Sequence, residues 1–255
     1  MTQSRRAHWN QRYASRKFVW SKPLNQMLVN ALEPLALPPG HVLDLACGEG
    51  HNAIWLAEQG WQVTAVDFSI VGVETGKRIA NRRSVRVDWI VDNATTWQAP
   101  AGTMDLAIVL YLHTDAVDRA AWMAHTLDAL KSGGALVYIA HDLTNLVHGQ
   151  LGPQTPDVLA TPEDIVALLP GCHIDRAEVL ERQVDDEPEH GGAKLGTAFD
   201  VLVVAFKGRQ GSATEATINP YDRYRPAGSR CISVKTSPVK LRSINHYGHP
   251  LIPMG

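Results

Sequence analysis

Along the first two hundred residues, short apolar runs alternate with longer stretches whose apolar positions recur at helical spacing. Val42, Leu43, Leu45 and Ala46, interrupted only by Asp44, predict a buried strand. The chain then breaks at Gly48-Glu49-Gly50 and resumes as AIWLAEQG, a helix that Gly60 is placed to end. Further strands are predicted over residues 62–66, 85–91, 104–110 and 135–140, with a helix over 69–82 between the second and third. Gly72 and Gly76 fall inside that helix at about 1 kcal/mol each relative to Ala, and close packing is the simplest reason for them. After the fourth strand, Thr114 or Asp115 caps another helix. Ala116, Ala120, Met123, Leu127 and Leu130 give its core face, and Gly133-Gly134 ends it. Upstream, residues 24–37 read as an amphipathic helix stopped by Pro38-Pro39-Gly40. Downstream, Thr161-Pro162-Glu163-Asp164 is a helix start, with a cap, a proline and two acids, running to residue 169. Residues 177–184 and 197–206 are the last strands, and the acidic, glycine-containing connection between them suits a hairpin.

Strand, glycine turn and helix together open a nucleotide-binding α/β unit. Gly48 permits a backbone turn that a Cβ would obstruct, Gly50 lets the chain approach a ligand, and Ala53 lets the helix sit near the strand. The same string satisfies GxGxxA, a weak dinucleotide signal on its own. Charge changes the picture. Asp44 and Glu49 flank the turn, so a pyrophosphate would meet two carboxylates, whereas a ligand carrying an ammonium and a sulfonium would be favoured. Asp67 ends the second strand about 20 positions after the turn, where an acidic residue can bond ribose hydroxyls. Asp67 and Ser69 also fit as caps of the next helix.

LDLACGEG resembles motif I of the class I S-adenosylmethionine-dependent methyltransferases, particularly the branch with tellurite-resistance and thiopurine-type enzymes, and the resemblance runs over roughly residues 8–207. It implies S-adenosyl-L-methionine as cofactor and an α/β fold. That fold is a Rossmann-like, seven-stranded, mostly parallel sheet with helices on both faces, an antiparallel last strand and the order 3-2-1-4-5-7-6. A WxxRYA…VWS segment like the one here folds over the cofactor in that family. By that resemblance Arg12, Tyr13 and Trp20 close the pocket; an aromatic helix that merely covers the sheet is the open alternative. An Asp at the position of Asp92 accepts from the adenine amino group and backbone near Ala94 contacts the ring, with an Asx-turn as the alternative. Asp44, Ala46, Gly48, Gly50, Asp67, Phe68, Asn93 and Leu110 complete the expected cofactor set.

The acceptor is expected beyond the carboxyl ends of the strands, where Tyr111 and His113 follow the fourth strand. His141-Asp142 closes the fifth. It reads either as a pair tuned to move a substrate proton or as a solvated strand terminus. Tyr111, His113, His141 and Asp142 are therefore the candidate catalytic residues. Residues 143–160 lack periodicity and are expected to form one wall of the acceptor site, with His148 and Gln154 as candidates. His113, His141 and His148 do not fall at a known ligand spacing, and no metal is expected.

A chain of 255 residues accommodates a cap over 1–40, a catalytic domain over 41–207 and an extension over 208–255. The extension is basic through Arg209, Arg223, Arg225, Arg230, Lys235, Lys240 and Arg242, and is expected to be disordered or loosely packed. A net charge of -2 gives no support to a nucleic-acid surface, and no apolar run reaches membrane-spanning length. Three cysteines without metal spacing suit a reduced, cytoplasmic setting, and no secretory signal is evident. The acidic-poor N-terminus could be read as a transit peptide, but its interleaved aromatics favour a docked segment. The expected activity is in-line methyl transfer to a small-molecule acceptor by a monomer or homodimer. An NAD-dependent oxidoreductase, for which no Tyr–Lys relay stands out, and a non-catalytic cofactor-binding regulator are the alternatives.

Overall fold

The computed structural model describes residues 3–14, 25–149, 152–184 and 196–208. The expectations for Trp20 and for the extension beyond residue 208 lie outside the described residues. One sheet contains β1 (His41–Leu45), β2 (Gln62–Asp67), β3 (Val87–Val91), β4 (Met104–Leu110), β5 (Leu130–His141), β6 (Cys172–Val184) and β7 (Gly196–Lys207). Its order is β3-β2-β1-β4-β5-β7-β6. The first five strands pair in parallel, and β7 runs antiparallel between β5 and β6. The expected class, sheet and strand order all hold. Because β1 lies between β2 and β4, the chain reverses its direction of travel at β1, and ligands of such sheets bind beyond the strand ends at that point.

Both faces of the central strands are apolar, so helices cover both. On one face α2 (Gln26–Leu32) and α3 (His51–Glu58) place Leu28, Leu32 and Leu56 on Val42, Val63, Leu106 and Ile108. On the other, α5 (Ala116–Ala129) and α6 (Pro162–Val166) place Trp122, Met123 and Ile165 on Leu43, Val109, Leu136 and Val203. α4 (Ile70–Arg82) lies against β3 and α3, and α1 (Gln3–Ala14) lies against α4. Among the described residues, no helix is long and apolar enough to cross a membrane.

Several boundaries differ from the sequence expectation for physical reasons. Asp115, not Thr114, caps α5 by accepting from Asp118 N; Thr114 Oγ1 instead accepts from the indole of Trp122. The buried face of α5 is Arg119, Trp122, Met123, Thr126 and Ala129, while Ala116 and Ala120 are exposed. Arg119 can be buried because Nη2 donates to the carbonyls of Thr114 and Leu159. Gly133-Gly134 does not end this helix. The chain passes from Ala129 straight into β5, where Leu130 pairs with Met104 and Ala135 with Leu106, and the glycines form the irregularity between those pairs. The helix before β1 is capped by Asn25 and shorter than expected; it gives way to a 3-10 turn over Glu33–Leu35. β6 begins at Cys172 rather than residue 177.

Candidate functional site

The glycine turn sits at the carboxyl end of β1, and its backbone explains its composition. Ala46, Gly48 and Gly50 take φ values of 66°, 57° and 69°, a left-handed region in which glycine is unstrained. The space beside Gly50 is not open to a ligand, as the sequence suggested: a Cβ there would run into the ring of Trp89 from β3. At Gly48 a Cβ would lie 2.7 Å from the hydroxyl of Tyr13, which α1 carries over the turn. The two glycines inside α4 belong to the same packing. A Cβ at Gly72 would sit 3.0 Å from the Gly48 carbonyl oxygen, and one at Gly76 would sit 2.5 Å from Trp89 and 2.8 Å from the Glu49 carbonyl oxygen. α4 therefore presses its glycine face onto the turn, with Trp89 filling the seam. Trp89 was missed in the sequence because its role depends on two glycines distant from it, Gly50 and Gly76.

Three carboxylates gather here under little solvent: Asp44, Glu49 and Asp67 are 2%, 4% and 3% exposed. Burial, with the neighbouring charge of Asp67, pushes the Asp44 carboxyl up to about 7, against the partial relief of the Ala53 amide. Asp44 Oδ2 has no hydrogen-bond partner among the described residues. Asp67 Oδ2 accepts from Gly48 N at 2.9 Å and Oδ1 from Ser69 N at 2.8 Å, while Ser69 caps α4 through Gly72 N. Burial raises the Asp67 carboxyl as well, the two amides only partly offsetting it. Burial and the two aspartates push the Cys47 thiol well up, so it is no nucleophile. A buried carboxylate with an unpaired oxygen beside a second one suits a cation and opposes a diphosphate. By that chemistry the turn fits the ammonium and sulfonium of S-adenosylmethionine.

Other expected cofactor residues line the neighbouring strand ends. Asp92 is exposed at the end of β3, and its backbone N–H donates to Asp67 O at 3.1 Å. Asn93 makes the Asx-type turn, accepting from the backbone and hydroxyl of Thr95. Phe68, Ala94 and Leu110 are buried in the core. Arg12 lies over the Trp9 ring at 5.0 Å, and Trp9 contacts Tyr13 at 5.6 Å.

At the ends of β4 and β5, Tyr111, His113 and His141 come together. Ring centroids are 5.0 Å apart for Tyr111–His141 and 5.2 Å for the stacked His113–His141 pair. Tyr111 holds φ at 55°, a strained value for a side chain of its size. Asp142 does not join them, which corrects the His141-Asp142 pairing. Adjacent strand residues face opposite sides of the sheet, and Asp142 caps the following 3-10 turn by accepting from Thr144 N. The carboxylate that His141 meets is Asp200 of β7, with Nδ1 2.9 Å from Oδ1, and Arg182 Nε donates to Oδ2 at 2.8 Å. The one available signal was a lone acid inside the apolar run TAFDVLVV. His148 and Gln154 are exposed. Among the described residues no group of three or more His, Cys, Asp or Glu side chains is arranged to hold a metal ion.

Residues 42–134 match a family model described as a methyltransferase domain. The chain is similar to the S-adenosyl-L-methionine-dependent Diels-Alderase of Talaromyces variabilis, 30% identical over 127 residues, covering 48% of this chain and 44% of that protein. It is similar to the ribosomal RNA small subunit methyltransferase C of Alcanivorax borkumensis, 29% identical over 131 residues, covering 45% and 37%. The chain thus spans less than half the length of these curated relatives. Among solved structures, TehB from Haemophilus influenzae superposes with a TM-score of 0.61 at 17% identity, covering 78% of this chain and 67% of that one. The match to a methyltransferase-domain model thus covers residues 42–134, and the described sheet has the fold of the solved structure it superposes on.

Proposed function

We propose that this protein transfers a methyl group from S-adenosylmethionine to a small-molecule acceptor held at the carboxyl ends of β4 and β5. The observation that carries the reading is Asp44, buried in the glycine turn beside Asp67 with an unpaired oxygen. Asp44 would take the ammonium of the cofactor. Asp67 would take ribose hydroxyls through the lone pairs its two amide bonds leave, and Asp92 the adenine amino group. Tyr13, lying over Gly48, would shield that end from water. The cofactor brings a methyl carbon already activated by its sulfonium, so the chain need supply no nucleophile. What the chain must do is hold the partners at attack distance, worth on the order of 7 kcal/mol or more in favourable cases. Tyr111, His113 and His141 stand where an acceptor would be received.

The small-molecule assignment is supported by the net charge of -2, which offers a polyanion no general attraction. The LDLACGEG and WxxRYA…VWS resemblance supports the tellurite-resistance and thiopurine-type branch, and the unpaired thiols of Cys47 and Cys172 suit the cytoplasm. Calorimetry with S-adenosylmethionine and with NAD, followed by release of S-adenosylhomocysteine across a panel of small acceptors, tests the proposal. Binding of the first cofactor and turnover with a member of the panel are expected. Tight NAD binding without the methyl donor would overturn the reading. Cofactor binding without any S-adenosylhomocysteine would replace it with a role that uses the cofactor without methyl transfer, as the similarity to a Diels-Alderase allows.

A further inference from the structure

We propose that Asp200 is a positioning residue that, balanced by Arg182, fixes His141 with its proton on Nδ1, so that Nε2 takes the proton of a neutral protic acceptor; this rests on the methyl-transfer reading above. Asp200 is fully buried in the middle of β7. A carboxylate can only accept, so each of its contacts, Arg182, His141 and Tyr111, must donate. Arg182 supplies Nε–H to Oδ2 at 2.8 Å, and His141 must therefore carry hydrogen on Nδ1 to bond Oδ1 at 2.9 Å. In the neutral ring this leaves the lone pair on Nε2. Burial acts to raise the Asp200 carboxyl, but the bonds from His141 and Arg182 outweigh it and hold the group below the usual carboxylate range. Asp200 is thus ionised at neutral pH, and Arg182 opposes its charge.

The remaining groups around the ring agree. Tyr111 faces Asp200 and Asn25, and burial with the Asp200 charge pushes its phenol upward, which keeps it a proton donor rather than a base. His113 stacks on the His141 ring, and Asp142 lies on the opposite side of the strand, occupied with Thr144. Gly152 packs against the other edge of the ring. At φ 97° it has no side chain to place there, whereas a Cβ would lie 2.5 Å from Cδ2 and 3.0 Å from Nε2 of His141. The positive charge of Arg182 is opposed by Asp200, so an anionic acceptor gains no uncompensated cation from this pair. The geometry suits a neutral O–H, N–H or S–H group. Its X–H electron pair becomes the X–CH3 bond, the methyl group's former bonding pair stays with sulfur, and the proton crosses to Nε2 and then to solvent.

Nitrogen-15 NMR of histidine-labelled protein reads the tautomer directly, with the His141 signals identified by their loss in His141→Gln. The expected result for the neutral ring is an Nδ1–H tautomer with the lone pair on Nε2. In Asp200→Asn, one amide oxygen cannot serve both donors, so a mixture of tautomers is expected. An Nε2–H tautomer in the wild-type protein overturns the proposal whatever the turnover shows. With an acceptor from the panel, His141→Gln should lower kcat by about 10²–10⁴-fold at pH 7, with cofactor affinity retained. The variant's rate should then climb about tenfold per pH unit as the acceptor ionises in solution, while the wild-type rate does not. An unchanged kcat, or a loss confined to KM, also overturns it. A wild-type protein that binds no S-adenosylmethionine fails the methyl-transfer reading instead, and the NMR result still decides what Asp200 does to His141.

Discussion

Asp44→Asn separates the energetic penalty of a buried carboxylate from its service to the cofactor. The folded-state value of about 7 against an ordinary 3.8 is roughly three units, which at 1.36 kcal/mol each amounts to about 4 kcal/mol of destabilisation at high pH. The direction follows from proton counting. Between about pH 4 and about 7 the unfolded chain has lost this proton while the folded protein keeps it, so stability is highest below the unfolded value and declines as pH rises through the folded one. Asparagine removes the charge and can still accept from Ala53 N, but it strands an NH2 group at about 1–3 kcal/mol. The variant should therefore be more stable than wild type by about 1–3 kcal/mol at pH 8, a Tm rise of about 2–4 °C per kcal/mol for a domain of this size. At pH 5 the wild-type penalty shrinks to about 1.5 kcal/mol, and the two proteins should melt close together. Differential scanning calorimetry of the cofactor-free proteins at both pH values measures this.

The cofactor reverses the ranking, because its ammonium needs an ionised Asp44. Affinity of the wild-type protein should rise with pH up to about 7, and binding below that should release a proton, read by titration calorimetry in buffers of different ionisation enthalpy. The variant should lose at least about 2 kcal/mol of binding, roughly 30-fold. A melting gap that is the same at pH 5 and pH 8, or cofactor binding with no linked proton, refutes the reasoning.

Asp67→Ala should weaken cofactor binding and also lower stability by about 1–3 kcal/mol for each stranded amide of Gly48 and Ser69; an unchanged melt together with unchanged affinity removes both roles. Gly76→Ala gains about 1 kcal/mol of helix propensity but forces a Cβ to 2.5 Å from Trp89 and 2.8 Å from Glu49 O. A net loss of about 1–2 kcal/mol is expected in urea unfolding, and a stabilised variant counts against the packing account. Arg119→Leu should cost about 2–3 kcal/mol, because the Thr114 and Leu159 carbonyls lose a charged donor; an unmoved denaturation midpoint refutes it.

What was legible in the sequence was local. The β1 run, the glycine turn and α3 are contiguous, and the switch from strand to helical period falls at the glycines that take positive φ. What was not legible depends on partners far along the chain. Gly72 and Gly76 look like flaws in a helix until Trp89 and the turn are placed beside them. Arg119 reads as a solvent position, which shifted the predicted face of α5, because nothing in the sequence shows that two carbonyls await it. Leu130 at helical spacing and Gly133-Gly134 made the start of β5 read as the end of a helix, and the charged residues Asp175 and Arg176 delayed the predicted start of β6, although the backbone in both places is extended. His141 and Asp142 were read as a pair from adjacency alone, whereas the carboxylate that meets His141 lies 59 residues away.

That contrast divides the molecule chemically as well. The groups proposed to hold the cofactor, Asp44, Asp67 and Asp92, lie on β1, at the end of β2 and just after β3, inside the 42–134 stretch that matches the methyltransferase-domain model. His141, Arg182 and Asp200, the hydrogen-bonded set proposed for the acceptor end, all lie after residue 134. The two ends also differ in charge. At the turn, buried carboxylates crowd together, with Asp67 raising Asp44 and an oxygen of Asp44 left unpaired. At the acceptor end Asp200 is met by a guanidinium and an imidazole N–H. A site that demands a cation at one end and settles its own charge at the other selects its donor electrostatically and its acceptor by hydrogen-bond geometry. The match to known proteins runs through the first end, so under the proposed reading the acceptor must be read from the second.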